Sequence, residues 1–248
     1  MDRLLEATYR VEQRHFWWTG LRSFARPLVA AAVAGQSTAR ILDCGCGTGA
    51  NLVMLGEFGV ASGFDLSWRG LEFAQQYGQR RLAHASMTRI PFTNATFDVV
   101  TAFDVLYSLA EADEAAAVGE MLRVLKPGGT LIVNVAALSI LRGNHSVFGS
   151  EVRRSTRRRL RDVLTRAGFE VTRLTYTNAS LFPLILGIRT TQRFMGLASP
   201  EEAGTDVVVP IKPVNGILTM LLRLEARALR VMDMPIGSSL LCVARKPG

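Results

Sequence analysis

Residues 41–49 read Ile41-Leu42-Asp43-Cys44-Gly45-Cys46-Gly47-Thr48-Gly49: an aliphatic pair, an acid, then glycine at every second position. Without side chains, such a turn brings backbone close to a ligand where any Cβ would collide. The stretch from Ala50 to Phe58 reads as a helix whose first amides face the same place. Asp43 can accept hydrogen bonds from an ammonium or hydroxyl group. A second acid, Asp65, ends the run Val60-Ala61-Ser62-Gly63-Phe64-Asp65. In a doubly wound sheet an acid at the end of the second strand is set for ribose hydroxyls. It can also cap the helix that opens at Leu66-Ser67, and the two roles coexist. The spacing D-x-G-x-G-x-G is not the dinucleotide fingerprint G-x-G-x-x-G, and the Lys-Ser/Thr of a phosphate loop is missing.

These groups need a parallel sheet to hold them. Strands are expected over 39–44, 60–65, 81–85, 97–103, 130–136, 170–176 and 239–245. Helices fall between them at Ser67–Tyr77, Glu111–Leu125 and 156–167. The last has Leu160, Val163, Leu164 and Ala167 at helical spacing and is stopped by Gly168. Residues 2–34 read as one or two helices ahead of the core. The stretch between the last two strands is too long for a turn and reads as an insertion. It holds the apolar run Ser180–Ile188, a polar loop over Ser199–Pro213 and a helix over Gly216–Val231. A cap over a pocket, a homodimer interface and a helix touching lipid all fit this pattern. The expected division is 1–36 as a helical lid, 37–176 as the core, 177–237 as the inserted cap and 238–248 as the final strand and tail.

The 248 residues suit one decorated α/β domain. With 48% hydrophobic and 20% charged residues the chain can build a core, which excludes disorder. No secretion signal is visible in the charged stretch from Met1 to Arg14, and no run of 18 apolar residues exists. Cys44, Cys46 and Cys242 form neither a metal pattern nor a disulfide framework, so a reduced, cytoplasmic setting is expected. No clustered carboxylate–histidine pattern suggests a metal. The net charge of +8 and six arginines between 153 and 161 suit either a solvated helix face or an anionic partner.

The loop at 43–49 resembles motif I of class I S-adenosylmethionine (SAM) dependent methyltransferases, where it passes the methionine end of SAM. Ile90-Pro91-Phe92 with Phe97-Asp98-Val99-Val100, and Leu125-Lys126-Pro127-Gly128-Gly129, resemble that family's "LPF…FDVV" and "LKPGG" segments. The flanks resemble a bacterial subgroup, of methyltransferase type 11/23, that opens with an "HFWW" segment. Glu12, His15, Phe16, Trp17, Trp18 and Arg22 carry that likeness, as do Ala167-Gly168-Phe169 and Asn178 to Pro183. The resemblance implies a Rossmann-like sheet of seven strands, strand 7 antiparallel, with an N-terminal helical lid and an insertion between strands 6 and 7. It implies SAM as cofactor and S-adenosylhomocysteine as product. Asp43, Gly45, Cys46, Gly47, Gly49, Asp65, Leu66, Ser86, Met87 and Phe103 would line the cofactor site.

The same resemblance implies an acceptor side with changed residues. Ser146, Glu151 and Ser155 replace the subgroup's Asp, His and Tyr, and Tyr107-Ser108 replaces Glu-His after strand 4. His145, in the loop after strand 5, is the first candidate base, because histidine titrates near neutral pH. Tyr107 faces the same mouth and can orient an acceptor or meet the sulfonium by cation–π attraction. His15, Trp17 and Trp18 can stack on substrate or simply fix the N-terminal helix. Arg22 can meet the SAM carboxylate, and Arg153 and Arg154 can clamp an anionic acceptor. Ser155 or Thr156 suits a helix N-cap. The expected activity is methyl transfer to a small molecule (a secondary metabolite, sugar or lipid-linked intermediate), O-methylation first. The alternative is a SAM-binding enzyme of the same fold that cyclises or rearranges its substrate. RNA methylation is a minor alternative, since no base-flipping N-P-P-Y motif is present, and a non-catalytic partner subunit is a fourth.

Overall fold

The computed structural model describes residues 2–36, 38–143, 146, 151–195 and 208–248. Its seven strands are β1 (Arg40–Cys44), β2 (Val60–Asp65), β3 (Leu82–His84), β4 (Phe97–Phe103), β5 (Leu125–Ala136), β6 (Glu170–Thr177) and β7 (Ser239–Arg245). They form one sheet in the order β3-β2-β1-β4-β5-β7-β6. β1 to β5 run parallel, and β7 lies antiparallel between β5 and β6. The order reverses between β1 and β4, so a crevice opens there at the carboxyl ends of the strands. The central strands β1 and β4 are almost wholly buried, as strands covered on both faces must be.

Successive residues of a strand face opposite sides, which splits the core in two. On one side Leu42, Val100, Leu131, Val133 and Cys242 pack against α5 (Glu111–Val124) and α6 (Arg157–Arg166). On the other, Ile41, Val99, Ile132 and Leu241 meet α2 (Phe16–Ala32), α3 (Ala50–Leu55) and α8 (Lys212–Ala228). α2 buries Leu21, Phe24 and Val29, and α8 buries Leu222, with Leu229 just past its end. Each contributes roughly 1.5–3 kcal/mol, so both helices belong to the core layer. They meet where Gly20 admits the Leu222 side chain. α1 (Asp2–Val11) instead lies on α4 (Trp68–Gln76), with Tyr9 stacked on Phe73 at 4.2 Å between ring centres. The remaining helix, α7 (Phe182–Phe194), buries no residue fully.

Among the boundaries that differ from the sequence expectation, two have a clear local cause. α8 starts at Lys212 rather than Gly216, because Pro213 stands in the first turn, where proline's missing N–H costs nothing. β5 starts at Leu125, which pairs with Phe97, while the turn glycine Gly128 (φ 73°) donates its N–H to Lys246 O.

Candidate cofactor and acceptor site

The glycine loop leaves β1 at the crevice. Gly45 and Gly49 have φ of 70° and 79°, a region L residues enter only under strain. A Cβ on Gly45 would stand 2.6 Å from Val105 Cγ2, and one on Gly49 2.6 Å from Ala74 Cβ. The amides of Gly45 and Cys46 both donate to Phe64 O, at 3.0 Å each, which ties the loop to β2. Asp65 then holds it from the side. Its Oδ2 accepts the Gly47 N–H and its Oδ1 the Ser67 N–H, both at 2.8 Å. The N-cap of α4 is Ser67, whose hydroxyl accepts the Gly70 N–H. Asp43 is walled in at 1% exposure and accepts the Thr101 hydroxyl at 2.6 Å. Burial pushes its carboxyl up to about 7. The Cys44 and Cys46 thiols are buried and held well above their usual range, so both stay protonated.

Beside the loop lies a buried group that sequence reasoning noted only as part of a motif. Glu12, 3% exposed, accepts the Thr48 hydroxyl at 2.6 Å and the Tyr77 hydroxyl at 3.3 Å. Arg22 reaches the same corner from α2, and its Nη2 donates to Glu12 O at 2.7 Å. Its Nη1 is buried with no partner among the described residues. A buried guanidinium N–H left unpaired costs free energy, and a carboxylate on a ligand would satisfy it. This corner therefore fits the amino-acid end of SAM.

On the far side of Asp65, Leu66 and Trp68 are 60% and 64% exposed, and Trp68 packs edge-on against His84. Exposed apolar surface at a strand end suits a flat ring. Ser86 is committed to a local turn: its hydroxyl bonds Thr88 Oγ1 at 2.8 Å and accepts the Thr88 N–H at 3.2 Å. Met87 and Phe103 are buried, in the cores on opposite faces of the sheet.

Several of the residues expected on the acceptor side gather at the ends of β4 and β5. Asp104, a third acid at a strand end, has φ 53° and accepts the Asn134 side-chain N–H at 2.8 Å. Burial pushes its carboxyl up to about 7, against the Asn134 hydrogen bond and the Arg154 charge, while Glu151 adds to the rise. Sequence reasoning passed over Asp104, although it ends its strand as Asp43 and Asp65 end theirs. Tyr107 is close by, its phenol held above its usual range mainly by burial and then by Asp104, so it remains protonated. Its carbonyl accepts the Val152 and Arg153 N–H groups. Arg154 donates to Glu151 at 2.9 Å and to Ala137 O at 3.1 Å. Arg153 and Arg159 both pair with buried Glu114. Arg157 lies over the Tyr176 ring. Four of the clustered arginines thus serve the fold, whereas Arg158 is 93% exposed. Thr156 is the N-cap of α6, and Ser155 bridges to Ala137. His145 lies outside the described residues.

His15 caps α2 by accepting the Trp17 N–H at 3.2 Å, and packs on Phe16 and Trp18. Burial lowers its pKa to about 4, so it is neutral at physiological pH. Among the described residues no group of His, Cys, Asp and Glu could hold a metal ion.

Comparison with known proteins matches residues 42–133 to a methyltransferase domain family. A demethylmenaquinone methyltransferase of Clavibacter sepedonicus is 35% identical over 119 residues, 44% of this chain and 45% of that protein. An O-methyltransferase of Aspergillus sclerotiorum is 32% identical over 114 residues, 42% of each. The chain thus spans about half the length of the curated relatives it matches. Among solved structures, a Haloferax volcanii methyltransferase in complex with the Trm112 activator aligns with a TM-score of 0.61 at 20% identity, over 98% of this chain and 94% of that one. The cyclase SpnF aligns with a TM-score of 0.58 at 21% identity, over 91% and 80%. These two likenesses speak to the fold alone. The family match runs from within β1 to within β5 and so includes the glycine loop, Asp65 and Asp104, and the fold is that of the solved methyltransferases it resembles.

Proposed function

We propose that this protein binds SAM along the glycine loop and transfers its methyl group to a small-molecule acceptor at the ends of β4 and β5. The observation that carries the reading is the loop held by Asp65 beside Arg22, whose buried Nη1 has no partner among the described residues. When bound, SAM supplies an electrophilic methyl on a sulfonium. Gly45, Gly47 and Gly49 give it backbone to lie against, with the Cys46 thiol buried and inert. Arg22 takes its carboxylate. Asp65 uses its remaining lone pairs for ribose hydroxyls, and Leu66, Ser86, Met87 and Phe103 bound the adenine side. Positioning supplies most of the rate in such a displacement.

For a hydroxyl acceptor a proton must leave, and Asp104, raised by burial to about 7 as Asp43 is, stands at the strand end proposed for the acceptor. Tyr107, protonated, orients the acceptor. His145 is retained as a second base, His15 and Trp18 as an aromatic wall, and Arg153 and Arg154 as groups near an anionic acceptor. The proposed acceptor is a secondary metabolite, sugar or lipid-linked intermediate, with O-methylation first, in a cytoplasmic setting. Relatives named O-methyltransferases support the oxygen acceptor, and others are named demethylmenaquinone methyltransferases. Incubation with SAM and phenol, quinol and sugar acceptors should yield S-adenosylhomocysteine and methylated product in equal amounts. Conversion of substrate without S-adenosylhomocysteine would instead establish a cyclising or rearranging enzyme, the reading that the changed acceptor-side residues keep open. The RNA reading loses its main support, because most of the arginine cluster is paired within the fold.

A further inference from the structure

The outward face of α8 presents apolar and basic side chains together. Ile217, Met220 and Leu224 recur at helical spacing and are 56%, 54% and 47% exposed. Arg223 and Arg227 lie on the same exposed stripe. The only acid of α8, Glu225, points the other way, buried and accepting the Ala179 and Ser180 amides. An open groove of about 620 Å³ runs between this stripe and the corner joining α1 to α2, and brings Arg14 alongside Arg223 and Arg227. None of its lining residues is acidic. The corner is fixed, because Asn215 accepts the Phe16 N–H and donates to Arg14 O. Glu201, Glu202 and Asp206 of the insertion lie outside the described residues.

We infer that this stripe docks the protein on an anionic phospholipid surface, with the apolar side chains in the headgroup boundary and the three arginines on lipid phosphates. An interfacial helix combines exactly such a partial apolar face with basic residues. The net charge of +8 draws the whole chain towards an anionic layer. A second copy of the chain suits the stripe poorly. A two-fold contact sets the stripe against itself and brings Arg223 and Arg227 of two protomers together without an acid to neutralise them. No described helix is long and apolar enough to cross the membrane, so the contact is peripheral. The groove adjoins the His15–Trp18 segment, so docking would bring the surface to the aromatic side of the proposed acceptor site. The inference does not depend on methyl transfer.

The test is sedimentation of the full chain with vesicles of phosphatidylcholine, alone or mixed with phosphatidylglycerol. Binding is expected to the mixed vesicles only, and to fall at high salt. Arg223→Gln with Arg227→Gln should weaken it roughly 30-fold, at about fivefold per neutralised arginine. Met220→Ser with Leu224→Ser should weaken it as well, with an unchanged circular dichroism spectrum. Absence of binding, equal binding to neutral vesicles, or full binding by both variants would overturn the inference. So would a wild-type dimer in light scattering that the Met220/Leu224 variant dissolves.

Discussion

The Gly47 N–H donates to Asp65 Oδ2 at 2.8 Å, across the gap between the turn after β1 and the end of β2. The carboxylate placed for the ligand is therefore also a brace for the loop. With Ser67 on its other oxygen, it satisfies backbone amides that would otherwise be orphaned. Asp65→Ala should destabilise the protein without any ligand, by about 1–3 kcal/mol, as charge-assisted hydrogen bonds suggest. Thermal denaturation of the two proteins measures this. An unchanged midpoint would mean that the brace contributes nothing.

The loop glycines should be intolerant for a reason that other glycines do not share. Gly45→Ala combines a left-handed φ with a Cβ 2.6 Å from Val105 and should cost at least about 1–3 kcal/mol. Gly119, inside α5 with open space around it, is the control. Gly119→Ala should stabilise by roughly 0.5–1 kcal/mol through helix propensity. Chemical denaturation should move the two midpoints in opposite directions.

Arg22 offers a test by ligand fragment. If its unpaired Nη1 meets the SAM carboxylate, Arg22→Gln should weaken SAM about 10- to 100-fold. Methylthioadenosine, which has no carboxylate, should bind both proteins alike. Equal losses for the two ligands would show that Arg22 acts only by holding the corner around Glu12.

Asp104 and Asp43 carry a pH signature. Both carboxyls are raised by burial, to about 7 in the folded protein. The folded state therefore keeps protons that the unfolded chain releases above pH ~4. Their stabilising contribution is complete below that pH and is lost as pH rises from ~4 towards 7. Asp104→Asn should flatten this decline relative to wild type, read as melting temperature at pH 5 and pH 8, conditions on the order of those limits. If Asp104 also accepts the acceptor's proton, wild-type kcat should rise through pH ~7 and the variant should be nearly inactive. A parallel pH dependence of stability in the two proteins would show that Asp104 ionises normally.

The arginine cluster separates into inner and outer members. Glu114→Ala leaves Arg153 and Arg159 without their shared partner and should cost about 3–5 kcal/mol. Arg158→Ala, at an almost fully exposed side chain, should stay within about 0.5 kcal/mol. Comparable effects would contradict the division.

What the sequence revealed and what it concealed follow a physical line. The glycine turn and the acids at 43 and 65 were legible because strand ends and tight turns are written in neighbouring residues. The β7 strand was legible over its full length, Ser239–Arg245, from a buried aliphatic run. The raised carboxyl of Asp104 was not, since it comes first from burial, which only the packed chain creates, and is then adjusted by residues from positions 134, 151 and 154. The same holds for Arg22, whose missing partner is visible only once α2 has packed. His15 reads as a stacking contact or a group that fixes the N-terminal helix; its ring nitrogen caps α2, a local bond that its position before Phe16-Trp17 could have suggested. The arginine run looked like one charged face because the buried acid that claims two of its members, Glu114, lies 39 and 45 residues away.

The most direct test of the central claim is titration calorimetry with SAM and with S-adenosylhomocysteine, on wild type and on Asp65→Ala. The account predicts micromolar binding of both ligands by wild type and a marked loss in the variant. Folded wild-type protein that binds neither ligand would contradict the cofactor site itself, and with it the proposed methyl transfer.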